Sequence, residues 1–528
     1  MEKSEEATID VKLFVDKEKK KVLFAESDKD FVDVLFSFLT MPLGTIVRLL
    51  GKQSQAGCLD QVYKSVEDLS TDYFQTKACK EMLLAPLNAA FDSCCQLKIN
   101  IDDTNQPSAV YICRDRFCSA PLSDRAFSSF PDAVCKCGKS MELAGDRPEN
   151  HGIIAPAGGG FDSVSGVFVN GCFKFIITDD LVVAPASTSL MMSLFERFGV
   201  NDPANLEKTI LHLDSQMVSN LLQRSLTSMQ PITGLYFDIP TGYDDADLNT
   251  LSEKLYPEQQ NDGDQELGNV KIRVVQTKNN SSVLYAEVSD DFIDLLFGLL
   301  SIPLGSIIKA YGHSSFKGSV GNLYKSIDGN TKECIRPECQ SLLLPPKSAP
   351  FSCCRTSKIL QVEESAPKDL QVNACIVCFK IGGFPDLGRC FHQTPYYSRS
   401  RKTIFGYHYT YCTDSVKSCK LRELNPKRPN DGSENGEAYL KGGTKEFMVT
   451  DDMRILPLSM SSSLQVVREA KVQTGELLEK EITLTKFQVM ELQRATLMSR
   501  TPLSCVLLPH KKKKKKKRKL DQLVSSLH

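Results

Sequence analysis

A chain of 528 residues is too long for one hydrophobic core, and about 100–200 residues per domain predicts two to four domains. Its 41% hydrophobic and 24% charged residues give the balance of a soluble globular protein and exclude a low-complexity or fibrous chain. The net charge of −1 hides an asymmetry: Lys511 to Lys519 is an unbroken basic run, and without those nine residues 55 basic stand against 65 acidic, a body near −10. That excludes a broad nucleic-acid surface outside the tail.

The first ten residues are acidic and polar, without the basic-then-apolar order of a secretory signal. Alternation of Val11, Leu13 and Val15, a Lys-rich turn, then Val22, Phe24 and Glu26 predicts a β-hairpin. Asp28 is placed to cap a helix. Phe31, Leu35, Phe38 and Leu39 form one face of that helix, and Pro42 with Gly44 interrupts it before Thr45 to Leu50. The stretches Phe31–Val47 and Phe292–Ile308 are the longest apolar ones, but each carries an Asp (Asp33, Asp294) and a Pro (Pro42, Pro303). They read as buried helix pairs and not as membrane spans. Farther on, Val167 to Thr178 predicts a strand, Thr188 to Phe198 and Asp214 to Ser225 predict helices, and Ile232 to Phe237 predicts a strand.

Much of this recurs. VLFAESDKDFVDVLFSFLTMPLGTIVRLLGK from Val22 is matched by VLYAEVSDDFIDLLFGLLSIPLGSIIKAYGH from Val283, at an offset of 261 that also takes Asp33 to Asp294 and Tyr63 to Tyr324. Phe175 to Asp180 is matched by Phe447 to Asp452 at an offset of 272, and Leu222-Gln223-Arg224 resembles Leu492-Gln493-Arg494. The expected fold is therefore α+β: a tandem duplication of a mixed unit, each with a hairpin-plus-helix part A, a Cys-rich zinc-ribbon-like insert and a strand-helix-helix-strand part B. Part A covers 8–105 and 270–365; the insert with part B covers 106–240 and 366–508. An acidic polar linker fills 241–269, and 509–528 is a basic, disordered tail. The period is far too long for a stacked solenoid.

These phrases, with CKCGKSM and FIITDDLVVAPAS, resemble the plant family known only as domain of unknown function 674, over Val11 to about Leu508. The resemblance implies a plant protein, often duplicated, with no established activity. It also implies a recurrent Cys pattern in the insert.

Nineteen Cys, an odd number, with no signal argue against a disulfide framework and for a reducing compartment. Cys113-x4-Cys118 followed by Cys135-x-Cys137-Gly138 offers four thiols to one tetrahedral Zn²⁺, a closed and hence structural site. In the second copy Cys375-x2-Cys378 takes the first position and Cys390-x-His392 the second. Cys412 with Cys419, or His408, are alternatives. Cys94-Cys95 and Cys353-Cys354 read as strand residues with burial as their role. Thr178-Asp179-Asp180 and Thr450-Asp451-Asp452 end strands, where Asp ordinarily bonds nearby backbone. Used instead with Mg²⁺, they would make a divalent-metal-dependent enzyme. Gly158-Gly159-Gly160 lacks the Lys-Ser/Thr of a phosphate loop and reads as a connector. No catalytic residue is expected, and no cofactor besides structural zinc. The expected protein is intracellular and non-enzymatic, acting through a protein or ligand partner without a membrane. It is cytoplasmic, or nuclear through its basic tail, which is also the only expected contact to nucleic acid.

Overall fold

The computed structural model describes residues 7–102, 109–113, 115, 126–146, 165–171, 173–200, 202, 204, 206–240, 270–375, 389–397, 404–413, 416–428, 437–443 and 446–508. The expected linker 241–269, the basic tail, Gly158–Gly160, Cys118 and Cys378 lie outside them. In chain order the strands are β1 (Ile9–Asp16), β2 (Lys21–Ser27), β3 (Ala109–Ile112), β4 (Ala126–Ser128), β5 (Glu142–Asp146), β6 (Phe175–Thr178), β7 (Val183–Pro185) and β8 (Leu206–Leu213). The second half adds β9 (Val270–Thr277), β10 (Val283–Ser289), β11 (Asp369–Cys375), β12 (Arg389–Tyr397), β13 (Ile404–Thr413), β14 (Val416–Glu423), β15 (Glu446–Thr450), β16 (Ile455–Pro457) and β17 (Leu477–Leu484). Helices interleave with them, so the chain is mixed α and β.

Two five-stranded sheets have the orders β7-β6-β2-β1-β8 and β16-β15-β10-β9-β17, with the corresponding strands of each half in the same places. Each starts from the expected hairpin. In β1 the apolar Ile9, Val11, Leu13 and Val15 are buried while the residues between them are more exposed, which is the period-2 pattern of a half-buried strand. Asp28 accepts the Asp30 N–H at 3.2 Å and starts helix Lys29–Ser37. The helix tightens into a 3₁₀ turn, Phe38–Thr40, and Pro42 then caps a new helix, Leu43–Leu49. Asp290–Phe297 and Leu304–Tyr311 repeat this bend.

The two helix pairs meet back to back. Leu43 N–H donates to Ile302 O at 3.0 Å, and Leu304 N–H donates to Met41 O at 2.9 Å. Leu39, Val47, Leu300 and Ile308 belong to one continuous core that runs through both halves. The halves also exchange backbone pairing. Gln75 N–H donates to Tyr439 O and Lys441 N–H to Tyr73 O, both at 2.9 Å. In the mirrored place Arg336 N–H donates to Phe168 O at 2.9 Å and Asn170 N–H to Cys334 O at 2.8 Å. Ile455 N–H reaches Ser65 Oγ at 3.0 Å, and Val183 N–H reaches Ser326 Oγ at 2.9 Å. A third sheet, β11-β14-β4-β3-β5, is built from both halves, joined by parallel pairing of β14 with β4. It packs a separate small core of Val110, Ile112, Phe127, Leu370, Val372, Cys419 and Leu421.

Several local expectations are corrected. The expected strand Ile232–Phe237 is instead a helix, Pro231–Tyr236, with Phe237 as its C-cap, because Pro231 presets the first helical φ and the turn is pinned through Thr233. Strand β8 was not anticipated. Among the described residues of the expected Val167–Thr178 strand, Phe175–Thr178 is extended in a sheet and Val169 makes an isolated bridge to Ile335. Cys94 closes a short helix, Phe91–Cys94, and is buried while Cys95 is exposed; Cys354 is buried and Cys353 half-buried. No helix among the described residues is long and apolar enough to cross a membrane.

Candidate metal centre and the buried carboxylates

Cys113 immediately follows β3, in the sheet shared by the two halves. Cys135 and Cys137 lie on a tight turn packed against it. In that turn Cys135 N–H donates to Lys139 O at 2.9 Å, Gly138 N–H to Cys135 O at 2.8 Å and Met141 N–H to Ala133 O at 2.8 Å. Gly138 has φ +87°, which an L side chain resists, so glycine is what lets the chain fold back beneath the sulfurs. The sulfurs of Cys113, Cys135 and Cys137 all lie within 4.8 Å of one another, and those of Cys113 and Cys137 are 3.5 Å apart. Thiolates bound at 2.3 Å around a tetrahedral Zn²⁺ stand about 3.8 Å apart. The observed spread fits that shell. Cys113 and Cys135 are buried, and burial raises the Cys113 thiol above its ordinary pKa, so a bound cation is what would stabilise the thiolate. At the rim Lys139 Nζ pairs with Asp115 at 2.7 Å.

In the second half Cys375 ends β11, opposite Val416 of β14. Cys390 and His392 lie on β12, opposite Cys412 and Thr410 of β13. His408 is opposite Thr394. Cys419 is elsewhere: it is buried in the small core, with its Sγ 3.6 Å from Val372 O.

The paired aspartates have other partners. Asp179 accepts Thr233 N–H at 2.9 Å on one oxygen and Thr233 Oγ1–H at 2.6 Å on the other. Asp451 is held in the same way by Ser504, at 2.9 and 2.5 Å. Each hydroxyl in turn accepts a strand N–H, from Val22 at 2.9 Å and Val283 at 2.8 Å. A carboxylate–hydroxyl–amide chain thus ties the last helix of part B to the hairpin of part A. Asp180 accepts from Thr178 Oγ1 at 2.5 Å and meets Arg197 at 3.4 Å; Asp452 accepts from Thr450 Oγ1 and pairs with Arg454. Burial raises Asp179 above the usual carboxylate range and pushes Asp451 up to about 6.

Asp33 and Asp294 were read only as charges that interrupt apolar helices. A carboxylate at the same place in both apolar stretches was the available signal of something more. Asp33 accepts three backbone N–H groups, Val167 at 2.6 Å, Phe168 at 2.9 Å and Val169 at 3.0 Å. Val169 in turn makes an isolated antiparallel bridge to Ile335, flanked by the Phe168–Arg336 and Asn170–Cys334 backbone bonds. Among the described residues Asp294 accepts Tyr439 N–H at 2.7 Å and Leu440 N–H at 3.3 Å, both on Oδ1. Its Oδ2 is buried and accepts no hydrogen bond among the described residues. The difference traces to one position. A Cβ on Gly166 would lie 2.4 Å from Asp33 Oδ2, and the second half has Glu437 there, so its backbone cannot close on the second oxygen. Lys427 compensates by charge. It is 1% exposed, and its Nζ donates to Cys353 O at 2.6 Å and Glu437 O at 2.9 Å and lies 4.1 Å from the Tyr439 ring centroid. Burial pushes both Asp33 and Asp294 up to about 6, opposed by the backbone donors and, for Asp294, by Lys427.

A family model described as "Protein of unknown function (DUF674)" matches residues 5–487, and the chain belongs to that family. No curated protein and no solved structure matches it.

Proposed function

We propose that the chain is a non-enzymatic binding protein, built by tandem duplication and stiffened by a structural zinc centre at Cys113, Cys135 and Cys137, with Cys118 as the fourth ligand. The observation that carries the reading is the convergence of three thiols, two of them buried, on one tight glycine turn. Four thiolates close the shell, so the ion would brace the insert and leave no position for a reacting water. The repeated carboxylates support the same view, because the oxygens of Asp33, Asp179 and Asp451 are engaged by backbone and hydroxyl groups of the fold. Two corresponding halves in one body offer a partner two related surfaces, which suits a repeated or two-fold ligand. We assign the basic tail to nuclear import or to salt-dependent contact with nucleic acid, and the body to the cytoplasm or nucleus.

The deciding experiment compares partners captured by the intact chain and by Cys135→Ser, with zinc per chain measured by atomic emission in both. The expected result is a metal-bearing intact chain whose partner set is lost in the variant. A metal-free, fully folded intact chain, or identical partners for both, would overturn the reading.

A further inference from the structure

The three thiols that converge on the glycine turn are not equally reachable. Cys113 is 1% and Cys135 8% exposed, while Cys137 is half-buried and stands between Lys136 and Gly138, which are both exposed. A dissolved oxidant therefore meets the cluster at Cys137. Thiolate is the nucleophilic form of sulfur, and oxidation follows thiolate character together with exposure. With an ion holding the sulfurs as thiolates, Cys137 has both. A second sulfur stands next to it. Cys113 Sγ lies 3.5 Å from Cys137 Sγ and belongs to a different element, one residue beyond β3. A disulfide spans about 2.05 Å, so a small side-chain rotation joins the two. Cys135 is also within 4.8 Å, but it is two residues from Cys137 in the same turn. Closing so small a ring would strain a turn already fixed by the bonds from Cys135 N–H to Lys139 O and from Gly138 N–H to Cys135 O.

We infer that Cys137 is an oxidation site, at which a hydroperoxide converts the zinc centre into a Cys113–Cys137 disulfide and releases the ion. The inference rests on the zinc reading above and adds its regulation. The Cys137 thiolate attacks one peroxide oxygen: an S–O bond forms, the O–O bond breaks and hydroxide leaves, giving a sulfenic acid. The Cys113 thiolate then attacks the Cys137 sulfur: the S–S bond forms, the S–O bond breaks and a second hydroxide leaves. Two thiolates lose two electrons in all, and the peroxide gains them. The ion is left with Cys135 and Cys118, half of a closed shell, and passes to solvent. The disulfide then ties the turn to the end of β3 in place of the ion, so the insert stays joined to the sheet that both halves build.

The test treats the zinc-loaded full chain with hydrogen peroxide, follows released zinc with a chromophoric chelator and maps cysteine pairing by mass spectrometry of alkylated peptides. The intact chain should release one zinc and yield a Cys113–Cys137 linked peptide, with dithiothreitol and zinc restoring the starting state. Cys137→His keeps a zinc ligand but removes the oxidisable sulfur, and should release zinc at least about tenfold more slowly. Cys135→His should release zinc as the intact chain does and give the same linked peptide. Zinc retained by the intact chain under peroxide, release without a Cys113–Cys137 link, or release from Cys137→His as fast as from the intact chain would overturn the inference and leave the structural centre standing. If Cys137→His holds no zinc, the linked peptide from the intact chain decides alone. An intact chain without zinc before any oxidant is added would overturn the centre itself and the inference with it.

Discussion

Replacing each buried helix aspartate by its isostere should separate the two halves. In Asp33→Asn the amide carbonyl can keep Phe168 and Val169, but the amide nitrogen then faces the Val167 N–H, donor against donor, at the 2.6 Å now held by an acceptor. A buried donor left unsatisfied costs about 1–3 kcal/mol, and the loss of charge weakens the two remaining bonds, so a destabilisation of roughly 2–4 kcal/mol is expected. In Asp294→Asn the carbonyl keeps Tyr439 and Leu440 while the amide takes the place of an oxygen that has no donor. The loss should be smaller, about 1–2 kcal/mol, since no hydrogen bond is lost but the buried Lys427 loses its countercharge. Urea unfolding followed by far-UV circular dichroism and by tyrosine fluorescence suits a chain with 15 Tyr and no Trp. Equal losses in the two variants, or a larger loss in Asp294→Asn, would refute the argument from Gly166 and Glu437.

The same carboxylates set a pH dependence. Asp33, Asp294 and Asp451 are raised to about 6, above an unfolded value near 3.9, so the folded state binds more protons between those values. Their contribution to stability is fully present below about 4 and lost as pH rises through 6. The urea midpoint should therefore rise from pH 7 to 5, and Asp294→Asn should reduce that rise; a midpoint that falls throughout would contradict it. Thr233→Val removes the donor to Asp179 and the acceptor of Val22 N–H, and should cost about 2–4 kcal/mol in chemical denaturation, with Ser504→Ala matching it in the other half. Isothermal titration with Mg²⁺ should give no heat that Asp180→Asn or Asp452→Asn abolishes; a heat that depends on those residues would revive paired-carboxylate chemistry. Removing residues 509–528 should shift a fluorescent fusion from nucleus to cytoplasm; an unchanged distribution would leave the tail without an import role.

Local patterning made part of the fold legible. The hairpin was readable from Val11, Leu13 and Val15, and the bent helix pair from Phe31, Leu35 and Pro42, because periodicity and proline chemistry act within a few residues. Ile232–Phe237 misled because its β-branched and aromatic residues suggest a strand, whereas Pro231 and the Asp179–Thr233 bonds impose a helix. Strand β8 was missed because the Leu206–Leu213 edge strand is only weakly buried, so its alternation is shallow. Cys135 and Cys137 were readable as a pair, but their meeting with Cys113 depends on how β3 stands to the turn. The partner of Cys390 depends on strand register, and the exchanged pairings of Gln75 with Tyr439 and Arg336 with Phe168 join residues far apart in the chain. No short window of sequence carries that information.

Those exchanged pairings bear on how such a chain can be divided. A cut anywhere between residues 240 and 270 would break none of the described hydrogen bonds between the halves. The two fragments should stay together as an obligate heterodimer, separable only by denaturant. Neither fragment could be expected to fold by itself, since each would expose the helix pair and the strand that the other covers. The same dependence constrains drift: a change at Ser65 or Phe74 is felt at Ile455 or Leu440, so the two halves must vary in concert although they are read from different stretches of one gene.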